Sequence, residues 1–263
     1  MTTKPWGLRE AAVKYRSAGI GGISVWQDAA AAYSDGHRAA GSMLRDEGIE
    51  VVSYVRGGFF TTLNGAERIK AIDENKRIID EAAEIGAPLV VLVCGATPGQ
   101  SLFESRKQIT EGIAASIEHA AAAGVKLGIE PLHPMYADSR SAVNTMSQAG
   151  AICDEVGYPN LGITADVFHI WWDDHLEEEI KKAGEKNQLF SFHICDWKNL
   201  PEDMLNDRGI MGEGVIDVSG IRRWVRDTGF SGYDEVEIFS NKYWAMDQDE
   251  YLDRIIKAYK ELS

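Results

Sequence analysis

Short runs of β-branched and other apolar residues alternate with longer amphipathic segments along the whole 263-residue chain. The runs at 22–26, 49–55, 89–94, 126–131, 161–168, 189–196 and 235–239 read as strands. Most are apolar throughout, as expected of parallel strands covered on both faces. Between them, apolar residues recur every three or four positions over 8–18, 36–47, 66–85, 105–123, 141–156, 176–185, 219–228 and 249–262, the spacing of helices. Glycines at Gly19, Gly48, Gly86, Gly124, Gly157 and Gly229 follow these segments as left-handed C-caps. Strands and helices in strict alternation imply right-handed βαβ units and a parallel sheet.

The pattern supplies eight helices and seven strands. A closed (β/α)8 TIM barrel needs eight strands, and only 1–6 precede the first helix. The expectation is a single α/β barrel domain over 1–263 whose first strand is very short or missing. The alternative, a doubly wound open sheet, lacks its Gly-rich phosphate turn after the first strand.

A net charge of −14 with no basic stripe argues against a nucleic-acid partner. Cys94, Cys153 and Cys195 are too few and too scattered for a disulfide framework. No apolar run reaches membrane-spanning length, and the N-terminus has no signal pattern. These features lead to the expectation of a reduced, cytoplasmic protein with no membrane partner.

Barrel sites are built at the C-terminal ends of the strands. Glu130 ends the strand in LGIEPLHP, Asp166 lies near the end of LGITADVF, His193 lies in LFSFHICDW and Glu237 in DEVEIF. Each is an ionisable residue with apolar neighbours in a strand expected to be buried. Burial of such a group is costly unless it is paired or binds a metal. Taken singly, each could be a satisfied core residue, but four on strand ends of one barrel point to a metal site. Two Glu, one Asp and one His suit a divalent ion such as Mn²⁺, Mg²⁺ or Co²⁺, with Zn²⁺ also possible, better than they suit a thiolate-rich structural site.

With GIEPLHP, ADVFHIWW, FHICDW followed by DRGIMGEGVID, and EVEIF in place, the chain resembles the xylose isomerase-like TIM barrel superfamily. That group includes ketose 3-epimerases, inosose dehydratases and class II AP endonucleases. The resemblance implies that Glu130, Asp166, His193 and Glu237 bind Mn²⁺ or a similar ion and that Glu130 and Glu237 double as the acid/base pair. It also places His169, three residues after Asp166, over the substrate oxygens. Two departures stand out. The arginine that closely follows the histidine in epimerases comes here only after an insertion, as Arg208. Where epimerases commonly carry Asn, this chain has His133, an additional base. The endonuclease branch fits neither the histidine content nor the charge.

A metal next to a carbonyl stabilises the enediolate left by proton loss. Reprotonation yields isomerisation or epimerisation, whereas expulsion of a β-leaving group yields elimination. The expectation is therefore a sugar isomerase/epimerase acting on a sugar or keto-sugar. A lyase of the inosose dehydratase or 3-keto C-glycoside deglycosidase kind is the alternative, and a non-catalytic sugar-binding subunit the reading from another class. Trp26, Phe59, Trp171, Trp172 and Trp197 lie at or just after strand ends, where they either stack on sugar or pack the loops. Arg56 is placed to hold a substrate oxygen. A short first strand would leave a sheet edge to cover, which points to a homo-oligomer or a partner subunit.

Overall fold

The computed structural model describes residues 1–262, and Ser263, the last residue of the expected domain, lies outside the described residues. Seven parallel strands follow one another in sequence order around the sheet. They are β1 Gly22–Trp26, β2 Glu50–Gly58, β3 Leu89–Val93, β4 Lys126–Ile129, β5 Leu161–Asp166, β6 Leu189–Ile194 and β7 Asp234–Val236. The outer layer is built from α1 Leu8–Ser17, α2 Gln27–Ala31, α3 His37–Asp46, α4 Gly65–Ile85, α5 Leu102–Ala122, α6 Met146–Val156, α7 Val167–Ile170, α8 Leu176–Glu185, α9 Val218–Asp227, α10 Asn241–Trp244 and α11 Gln248–Glu261. The result is a nearly closed TIM barrel without a regular strand ahead of α1: residues 1–6 form turns.

Two side-chain devices span the gap between β7 and β1. The Thr2 hydroxyl donates to the Val236 carbonyl at 2.7 Å and accepts from the Ile238 N–H at 3.0 Å. The Ser24 hydroxyl of β1 donates to the Glu235 carboxylate of β7.

Where elements depart from the sequence pattern, local hydrogen bonds give the reason. The apolar stretch 161–168 does not remain extended, because the Asp166 carboxylate accepts the Phe168 N–H at 2.9 Å and caps the turn α7. The helix expected from 141 begins only at Met146. Residues before it bridge to the end of β3, with Ala142 N–H bonded to the Gly95 carbonyl at 2.9 Å. Helix α5 starts earlier than its apolar pattern, because Ser101 accepts the Glu104 N–H and sets the cap.

Strand β2 runs past its expected end, through Arg56 to Gly58. Asn75 of α4, buried at 3 % exposure, clamps that end. Its side chain accepts the Gly58 N–H at 2.6 Å and donates to the Gly58 carbonyl at 2.7 Å. Gly58 itself has φ +110°, and a Cβ there would stand 2.0 Å from the Val93 carbonyl oxygen. Only glycine allows this approach.

A continuous apolar layer between strands and helices, including Leu44, Ile79, Leu92, Ile113, Ile163 and Phe192, forms the core. All three cysteines are buried with free thiols. Among the described residues no helix is long and apolar enough to cross a membrane. Asn75→Ala would orphan two buried backbone groups, so it is expected to lower the unfolding free energy by about 2–4 kcal/mol. Urea denaturation measures this, and a loss below about 1 kcal/mol would contradict the clamp.

Candidate metal centre

Strand register brings the proposed ligands to one level. Asp166 of β5 pairs with His193 of β6. Glu130 and Glu237 each extend a ladder by one residue: the Glu130 N–H donates to the Leu92 carbonyl and the Glu237 N–H to the Ile194 carbonyl, both at 3.1 Å. One ligand atom from each of Glu130, Asp166, His193 and Glu237 falls in a group whose members all lie within 4.8 Å of one another. Glu130, Asp166 and His193 are buried, and Glu237 nearly so.

His193 Nδ1 lies 3.3 Å from Glu130 Oε1 and 3.8 Å from Glu237 Oε2. Its Nε2 faces the opposite way, 3.6 Å from Glu235 Oε2. Arg208, only 4 % exposed, enters from the loop after β6. Its Nη1 donates to Asp166 Oδ2 at 2.8 Å and to Glu237 Oε2 at 3.0 Å, while Nη2 stands 3.2 Å from His169 Nε2. The rings of Phe168 and Phe239 hold the guanidinium at 4.4 and 4.8 Å from their centroids.

These surroundings push the groups apart electrostatically. Burial raises Glu130 above the usual carboxylate range, outweighing the pull of His193. Burial likewise raises Asp166 to about 7, despite Arg208. Burial acts the same way on Glu237, but Arg208 and His193 overcome it and hold that carboxyl well below its usual range. Burial would lower His193, yet Glu235, Glu130 and Glu237 together raise it well above the usual imidazole value. His169 is lowered well below that value by burial and by Arg208.

The donor set fits a divalent cation. His193 Nδ1 and Glu130 Oε1 are buried and have no hydrogen-bond partner, an arrangement costly to leave unfilled. The three carboxylates of the cluster, when ionised, are neutralised by one charge from Arg208 and two from such an ion. Mixed carboxylate and imidazole ligation suits several first-row ions and Mg²⁺.

The remaining expected residues surround the same mouth. His133 N–H donates to His169 Nδ1 at 3.2 Å, and its own Nδ1 accepts the Met135 N–H at 3.2 Å. Its ring lies 4.9 Å from Trp197 and 5.9 Å from Trp172. The Trp172 indole N–H donates to the His169 carbonyl at 2.8 Å. Trp171 instead packs beside Trp197 against the core, at 5.7 Å between rings. Across the mouth, Arg56 lies over Trp26 and Phe59, with 5.8 and 5.0 Å to their centroids. Trp26 sets its edge against Phe239 at 5.5 Å.

Two residues of this region escaped the sequence reading. Asp196, fully buried after β6, accepts four backbone N–H groups: Trp197 at 2.8 Å, Gly212 at 2.9 Å, Gly214 at 2.8 Å and Ile216 at 3.0 Å. It thereby shapes the inserted loop that delivers Arg208. A lone acid followed by the Gly-rich DRGIMGEG was the available signal. Glu235, two residues before Glu237, shares its alternation and therefore its inward direction.

Comparison with known proteins agrees with this architecture. The inosose isomerase of Bacillus licheniformis is 30% identical over 196 residues, 73% of this chain and 68% of that protein. A 3-dehydroshikimate dehydratase of Pseudomonas putida is 26% identical over 236 residues, 87% of this chain and 35% of that protein. The crystal structure of protein SMc04130 from Sinorhizobium meliloti 1021 superposes with a TM-score of 0.95 at 44% identity, covering 99% of this chain and 95% of that one. Residues 12–262 match the family model described as xylose isomerase-like TIM barrel, and the chain belongs to that family.

Proposed function

We propose that this chain is a divalent-metal-dependent isomerase or epimerase of sugars or keto-sugars, with Mn²⁺ as the favoured ion. The convergence of Glu130, Asp166, His193 and Glu237 at the barrel mouth carries the reading. The inosose isomerase relative supports it. A divalent ion held there would polarise a substrate carbonyl and stabilise charge developing on its oxygen.

The chain's own groups would move the proton. Glu130 and Glu237, on either side of His193 Nδ1, are the two carboxylates placed to take and return the proton. Arg208 and His169 stand beside the cluster and would orient substrate oxygens. Trp26, Arg56 and Trp172 would line the sugar's remaining face, aromatic rings on either side of the mouth. These half-buried side chains, with the buried Phe168, would help to keep water from the reacting carbon.

A second reading, elimination by a lyase, is favoured by His133. His133 is a third titratable side chain at this mouth, and burial lowers its pKa, so its neutral imidazole would be available to take the α-proton while a carboxyl group assists the departing oxygen. The dehydratase relative is consistent with such chemistry.

Glu130→Gln and Glu237→Gln are each expected to cut turnover of a keto-sugar substrate by at least about 10²-fold. In D₂O the native protein should place solvent deuterium in the rearranged sugar, and full activity in either variant would sink the proposal. His133→Asn separates the two readings. An isomerase keeps turnover within about tenfold, whereas an eliminating enzyme loses on the order of 10²-fold in release of water or aglycone. Finally, Asp166 near 7 and the raised His193 must shed protons to ligate, so metal affinity should rise between pH 6 and pH 8. Calorimetry in buffers of different ionisation enthalpy would show the released protons, and a pH-independent affinity would contradict the ligand set.

A further inference from the structure

The inside of a TIM barrel is ordinarily filled by branched apolar side chains. Here one layer below the metal centre is polar instead. Glu235 of β7 projects inward and accepts hydrogen bonds from three hydroxyls on three other strands: Ser24 of β1, Ser191 of β6 and, at 3.4 Å, Ser53 of β2. Ser53 and Ser191 are fully buried. Placing a carboxylate and three hydroxyls inside a barrel gains nothing in packing and costs desolvation of each group. Such an arrangement needs a purpose that an apolar layer would not serve.

Register shows what the carboxylate faces. His193 and Glu235 are directly paired residues of β6 and β7. His193 Nε2 lies 3.6 Å from Glu235 Oε2, on the far side of the ring from Glu130 and Glu237. Glu235 and Glu237 alternate with Val236, so the two carboxylates flank the imidazole from below and above. Nε2 is buried and has no hydrogen-bond partner at ordinary distance, and Glu235 is the carboxylate it faces. Beyond Glu235 the barrel opens at its opposite end into a cavity of about 420 Å³ bordered also by Glu50, Lys126, Phe190 and Tyr233. Without a fixed acceptor at this point, the ring would have only that open end to direct it.

We propose that Glu235 is a positioning residue for the metal centre: it takes the Nε2–H of His193 and so presents the Nδ1 lone pair to the ion. The inference rests on the metal site proposed above and adds a residue outside the four ligands. Histidines that bind metals with one nitrogen commonly donate the other N–H to a carboxylate, which fixes both tautomer and ring orientation. The three serines hold the carboxylate in place, so orientation is set before the ion arrives.

The test is metal affinity, read by competition with a chelating indicator for Mn²⁺ and Zn²⁺. Glu235→Gln keeps the volume and one accepting oxygen for the serines, and removes the charge facing Nε2. Its affinity is expected to fall about 10–100-fold relative to the native protein. The metal-induced rise in Tm should shrink accordingly, while the metal-free Tm reports any purely structural effect. A second measurement needs no variant: with ¹¹³Cd in the native protein labelled with ¹⁵N-histidine, coupling should run to His193 Nδ1, with Nε2 still protonated. Coupling to Nε2, or native affinity in Glu235→Gln, overturns the positioning role alone. Failure of the native protein to bind any of these ions overturns the centre and this role together.

Discussion

Three carboxylates and an imidazole share a space in which their ligating atoms lie within 4.8 Å of one another. At such separations, two like charges near a protein surface repel by about 3–4 kcal/mol. The fold must supply compensating charge from a direction that the strands themselves cannot provide. Arg208 does this by reaching Asp166 and Glu237 with one nitrogen while Phe168 and Phe239 hold its plane. The loop that delivers it depends in turn on Asp196, whose carboxylate gathers four backbone N–H groups. The barrel positions the ligands, and this one loop makes their closeness tolerable.

Much of this was legible in the residues. Seven strand-like runs correspond to seven observed strands, because parallel strands covered on both faces must be apolar along their length. The four acids and bases stood out for the same reason, each interrupting an apolar run near its end. The resemblance carried by GIEPLHP and the EVEIF segment pointed to the same family that the family model identifies.

What was not legible depended on bonds between distant residues. Val167–Ile170 has the composition of a strand, and only the Asp166 side chain, capping Phe168, turns it into a helical turn. Arg208 is named by the resemblance, but its bridge between Asp166 and Glu237 follows only from the fold of the inserted loop. A pattern of one ligand per strand hides Glu235, the second inward residue of an E-x-E alternation. Its meaning emerges only when β1, β2 and β6 bring serines to it.

The distribution of the ligands around the barrel has a consequence for how such a molecule can diversify. All four come from β4 to β7 or the residues just beyond them, whereas Trp26 and Arg56 belong to β1 and β2. Part of the proposed substrate wall thus comes from the first half of the chain, whereas Trp172, His169 and the candidate ligands come from the second. Exchanges at Trp26 and Arg56 would therefore alter one side of the mouth and leave the cluster of Glu130, Asp166, His193 and Glu237 in place.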